Sequence, residues 1–224
     1  MMKIRLRQKN HIASKYCIMT NYTDNVFINI PFDDDYNLLK HAIVFTVYKC
    51  GFTPRLASEA DDASENRIDK IIKIIKECKY GIHDLSRTEL DENNLPRFNM
   101  PFEYGLFWGA KKFGDKIQKQ KVAIVLERER YLLKKYLSDT GGADEKAHYN
   151  DVKKIISIIR NWLLTNSRRN TIPSVNNIIN EFTDFYYTRL SFILTEKKLP
   201  INSLLDIEYC MYVEESIKYK STKH

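Results

Sequence analysis

Glu103 is the residue whose type and placement best suit chemistry, in the run Phe98, Asn99, Met100, Pro101, Phe102, Glu103, Tyr104, Gly105. A proline at such a position predicts a helix start at about Pro101, capped by Asn99 or Met100, with the carboxylate in the first turn. The unpaired amides of a helix start favour an ionised carboxylate, the state in which it serves as nucleophile or charge stabiliser. A first-turn acid can equally do no more than complement the helix dipole, and spacing alone leaves these two readings even.

The elements that must position Glu103 follow from hydrophobic pattern. Asn25 to Ile30 is a short apolar, β-branched run and reads as a buried strand. Leu38, Leu39, Ala42, Ile43 and Val47 then recur at helical spacing behind three acids, Asp33 to Asp35, and Gly51 supplies a stop. Phe52 to Ala57 reads as a second strand, with Pro54 placing it near an edge or bend. Arg67 to Lys79 carries an apolar stripe of Ile68, Ile71, Ile72 and Ile75. Tyr80 to Leu85 and Val122 to Leu126 complete four strands, separated by a polar loop over 88–100 and by the helix that bears Glu103.

Strands alternating with helices predict a flavodoxin-like, doubly wound parallel sheet, whose ligands bind outside the carboxyl ends of the strands. Gly105 and Gly109, four apart, predict a helix face packed closely on that sheet. Beyond residue 130 the pattern turns helical: Val152 to Ile159, Val175 to Phe185, and Leu204 to Ile217. The chain therefore divides into a basic leader (1–24), an α/β domain (25–130) and an α-helical extension (131–224) packed on it. The cluster Phe182, Phe185, Tyr186 and Tyr187 continues an apolar stripe and reads as packing ahead of an oligomer surface.

Composition narrows the class. With 224 residues, 43% hydrophobic and 29% charged, the chain can bury a real core. No apolar run reaches the roughly 18 residues that span a bilayer, which predicts no membrane partner and a cytoplasmic location. Cys17, Cys50, Cys78 and Cys210 are far apart and form no metal-ligand spacing, so they read as reduced thiols, and no metal is expected. The net charge of +7 owes five charges to Lys3, Arg5, Arg7, Lys9 and Lys15, leaving +2 on the other 204 residues. A nearly balanced body argues against a nucleic-acid partner. His83 reads as a core histidine, and Asp139, Asp144 and His148 around Gly141 and Gly142 read as a loop about three times more readily than as a site.

The order VFINIPFDDDY, CKYGIHDLSR and FNMPFEYGLFWGAKKFG resembles the nucleoside 2-deoxyribosyltransferase family and, over the same 25–127 stretch, the NAD-cleaving Toll/interleukin-1 receptor (TIR) domains. It differs from the first in having Arg97, Phe98, Asn99 and Met100 where those enzymes carry Asp-Ser-Gly-Thr, and from the second in lacking a Trp-Cys pair before the Glu. Both families break an N-glycosidic bond, so the resemblance implies that Glu103 meets oxocarbenium charge at the sugar C1. It implies further that Asp84 and Ser86 hydrogen-bond ribose hydroxyls, that Asn29, Pro31 and Phe32 line the base or nicotinamide side, that Asn99 contacts the substrate, and that Arg55 or Arg87 holds a phosphate. Asp84 and Ser86 serve equally well as turn caps, and the two arginines more readily as partners of local acids. The implied activity is hydrolysis of NAD, a substrate rather than a cofactor, in bacterial defence or signalling, with self-association and an activating ligand or partner protein. A non-catalytic nucleotide-binding module and a deoxyribosyl transferase are the rival readings.

Overall fold

A computed structural model describes residues 21–59, 64–87, 97–137 and 145–221. Residues 1–20 of the leader, Cys17 among them, and Asp139 and Asp144 lie outside these residues. Five parallel strands stand in the order β2-β1-β3-β4-β5: β1 (Asn25–Asn29), β2 (Thr53–Leu56), β3 (Tyr80–Asp84), β4 (Val122–Glu127) and β5 (Lys146–Ala147). This is the doubly wound arrangement expected, and β2 with its Pro54 is indeed an edge strand. The fifth strand is an addition to the sequence reading. It has two residues, paired to Leu126 and Glu127, too short to register as a pattern, and it carries the sheet past the boundary drawn at 130.

The strands alternate their side chains between two helical layers. Val26, Ile28, Ile82, Ile124 and Leu126 face α1 (Asn37–Lys49), α4 (Val152–Ser167) and α5 (Val175–Asp184). Phe27 faces the other way, onto Ile71, Ile74 and Ile75 of α2 (Arg67–Lys76) and Phe107 of α3 (Asn99–Phe113). Gly81 permits that second packing, because a Cβ there would lie 2.6 Å from His83 Nε2 and 2.8 Å from Phe107 Cζ.

The C-terminal helices owe their place to α1. Nine consecutive residues of α1, Leu39 to Val47, are buried, so a helix already seated on the sheet offers a second apolar side. The extension covers it: α4, α5 and α7 (Asp206–Ser221) all contact α1. Phe45 stacks on Phe185 at 5.4 Å and meets Phe182 edge-on at 5.5 Å. Phe182 and Phe185 are thus core, as expected, while Tyr187 is 61% exposed. Phe185–Leu190 forms a π-helical stretch between α5 and α6 (Ser191–Lys197). Lys40, buried on α1, pairs with Asp206 at 2.8 Å, and Tyr209 donates to the carbonyl of His41 at 2.8 Å. Among the described residues, no helix is long and apolar enough to cross a membrane.

Candidate functional site

In this strand order the topological switch lies between β1 and β3, so the loops leaving those strands frame the crevice. Asn29, the last residue of β1, is buried and donates from Nδ2 to the Met100 carbonyl at 2.8 Å and to His83 Nδ1 at 3.2 Å. One amide thereby fastens the end of β1 to the first turn of α3. Pro31 follows buried, and Phe32, in the loop leaving β1, is 41% exposed. Arg87, beyond β3, grips Asp33, beyond β1, through two hydrogen bonds of 2.9 and 2.6 Å. That two-pronged pair ties the two loops together and gives Asp33 and Arg87 a common structural task.

Glu103 belongs to α3, but not as its spacing suggested. The helix begins at Asn99, two residues before Pro101, with Phe98 as a cap whose side chain makes no hydrogen bond. Glu103 therefore falls just past the first turn, and neither Asn99 nor Met100 caps; Asn99 is an exposed first-turn residue. Glu103 is only 6% exposed, and burial pushes its carboxyl up to about 7, against the opposing pull of Arg67 at the start of α2. Desolvation outweighs the attraction of that guanidinium here. The carboxyl is consequently near half-protonated at neutral pH, the range suited to proton transfer, rather than held ionised. Gly105 and Gly109 do not face the sheet: an added Cβ would meet nothing within 4 Å at either.

Asp84 and Ser86 are buried at the end of β3 in a polar cluster whose other members come from far along the chain. Asp84 Oδ1 accepts from the Ser86 amide at 2.8 Å, and Oδ2 accepts from the Tyr36 hydroxyl and from His148 Nε2 at 3.0 Å. His148 Nε2 also lies 2.9 Å from Ser86 Oγ. Asn150 donates its amide to His148 Nδ1 at 3.0 Å, so that nitrogen accepts and the proton sits on Nε2. The ring is then neutral, its one N–H shared between Asp84 and Ser86. It cannot take a proton from Ser86, which excludes a Ser-His-Asp nucleophile. Burial first, and Asp84 second, raise the Tyr36 hydroxyl well above its ordinary value. The cluster fixes where β3 ends, and the expectation that Asp84 and Ser86 reach out to ligand hydroxyls gives way to an inward-facing pair, each under 4% exposed.

The sequence around His148 reads as a loop, and only the fold brings this residue to Asp84; its polar neighbours Tyr149 and Asn150 carry no signal. Arg55 is engaged elsewhere, held by Glu59 at 2.6 Å and Glu77 at 2.9 Å on the α2 flank, so it is not a free phosphate ligand. His83 is fully buried as expected, and burial lowers its ring to about 3. The structure thus gathers Asn29, Pro31, Phe32, Arg87, Asn99 and Glu103 on the elements that frame the crevice, turns Asp84 and Ser86 inward, and sets Arg55 apart.

The chain is 32% identical over 89 residues to protein tirC of Dictyostelium discoideum, a match covering 35% of this chain and 43% of that protein. The chain thus spans less than half the length of the curated relative it matches. No family model matches. No solved structure matches. The similarity agrees with a TIR-like relationship on an α/β flavodoxin-like fold, carried by a five-stranded parallel sheet with helices on both faces.

Proposed function

We propose that the chain is a TIR-like enzyme that cleaves the N-glycosidic bond of a nucleotide, NAD foremost, releasing nicotinamide and ADP-ribose. The observation that carries this reading is Glu103: a carboxyl nearly buried on the helix after β3, beside the carboxyl ends of the strands, and raised to about 7 by desolvation. In the bond-breaking step the C1–N bond lengthens and its electron pair leaves with nicotinamide, which departs neutral because its ring nitrogen was cationic. Positive charge then develops on the sugar, and an ionised carboxylate beside it lowers that barrier. The cationic nicotinamide ring itself favours ionisation of Glu103 when substrate binds, since an opposite charge nearby depresses a carboxyl pKa. Water then adds to C1 and yields its proton to the carboxylate. Phe32, exposed in the loop leaving β1, offers a face for the base.

The test is chromatography of NAD incubated with concentrated protein, wild type beside Glu103→Gln. Nicotinamide and ADP-ribose from wild type alone support the reading; equal turnover by the variant overturns it. The inward orientation of Asp84 and Ser86 favours a second reading, a crevice that binds nucleotide without chemistry. It predicts a nucleotide-induced rise in melting temperature that survives Glu103→Ala, and no product. Exchange of bases on a deoxynucleoside would instead identify the transferase.

A further inference from the structure

A cavity of about 400 Å³ opens at the carboxyl ends of β4 and β5. Its wall includes Arg130 and Lys134 from the segment after β4, Lys154 from the first turn of α4, and the carboxylates Glu127 and Glu145. The two acids are not equivalent. Glu127 is 3% exposed, and its two oxygens accept from the amides of Tyr131 and Leu133 at 3.1 Å each, which shapes the 127–133 turn. Both of its oxygens are thereby held by backbone donors. Glu145 Oε1 is buried with no hydrogen-bond partner among the described residues.

The cations are held in place. Lys134 lies 5.1 Å from the centre of the Tyr131 ring, and Lys154 lies 4.0 Å from that of Tyr149. Tyr131, Tyr149 and Asn150 all take left-handed backbone conformations, with φ of 68, 55 and 56 degrees. Non-glycine residues adopt these at a cost, and such strain concentrates at ligand clamps. Arg130 and Lys134 from one segment and Lys154 from another thus meet, with Lys146 of β5, across a concavity that also holds an acceptor lacking a donor among the described residues. Cations bind phosphate; an orphaned carboxylate oxygen binds a hydroxyl. The volume suits a small ligand carrying both.

We propose that this cavity binds a phosphorylated sugar, its phosphate on Arg130, Lys134 and Lys154 and one of its hydroxyls donating to Glu145 Oε1. The site does not depend on the reading of Glu103. Isothermal titration of the full chain with ribose 5-phosphate, inorganic phosphate and ribose is the test. Ribose 5-phosphate binds, phosphate binds more weakly, and ribose does not bind. Lys134→Glu and Lys154→Glu each weaken ribose 5-phosphate at least tenfold, while Lys153→Glu, the neighbouring exposed residue outside the wall, leaves it unchanged. Glu145→Ala weakens ribose 5-phosphate but not phosphate. Adenosine monophosphate in a parallel titration separates the sources: affinity above that of ribose 5-phosphate identifies a nucleotide, equal affinity a free sugar phosphate. Absence of ribose 5-phosphate binding, or binding indifferent to both charge reversals in variants that melt as wild type does, overturns the proposal.

Discussion

Burial of Glu103 makes folding depend on pH in a way one substitution isolates. Its carboxyl titrates at 4.5 when unfolded and at about 7 when folded. Between those values the folded chain keeps a proton that the unfolded chain releases. Stability contributed by the protonated group is therefore complete below 4.5 and is lost as pH rises through 7. At about 1.4 kcal/mol per pH unit the whole loss is about 3 kcal/mol. Glu103→Gln keeps the shape and removes the titration, so the stability of the variant minus that of wild type should increase by about 3 kcal/mol from pH 4.5 to 8. Taking the difference cancels the histidines, which titrate in both proteins. Urea unfolding at intervals across that range, at fixed ionic strength, measures it. A difference that stays level within about 0.5 kcal/mol would mean that Glu103 is solvated or compensated by Arg67, and would refute the argument from burial.

Two further outcomes are expected. His148→Ala removes a donor from buried Asp84 and Ser86 and should cost about 2–4 kcal/mol in urea unfolding, because an incompletely satisfied carboxylate remains inside; a loss under 0.5 kcal/mol would show the cluster to be dispensable. Burial lowers His41 to about 3, and the ring stacks on Tyr209 with centroids 4.0 Å apart and Nδ1 unpartnered among the described residues. The unfolded chain therefore binds the proton first, and stability falls as pH drops below 6.5. His41→Phe should keep the stack and remove this term, gaining about 2 kcal/mol more at pH 5 than at pH 8; an equal effect at both pH values would contradict it.

What the sequence determined by itself is what local chemistry encodes. A six-residue β-branched run cannot be a helix, an isoleucine stripe with lysines opposite cannot be a strand, and their alternation allows few arrangements other than a parallel sheet wound on both faces. The edge position of Pro54 and the burial of Phe182 and Phe185 follow from the same rules. The placement of Glu103 on the helix after β3 was legible too, for it needs only the order of elements.

Its protonation was not legible, because a carboxyl's pKa depends on what covers it, and α2 with Arg67 approaches α3 only in the folded chain. Nor was the meeting of Asp84 with His148, 64 positions apart and joined through a two-residue strand too short to leave a pattern. Gly105 and Gly109 mark the same limit: their spacing announces a helix face, and only the packing of α3 decides that this face turns outward. Periodicity specifies which elements form and which of their sides are apolar; which groups lose water, and beside whom, is decided by contacts remote in sequence, and with it the chemistry of the site.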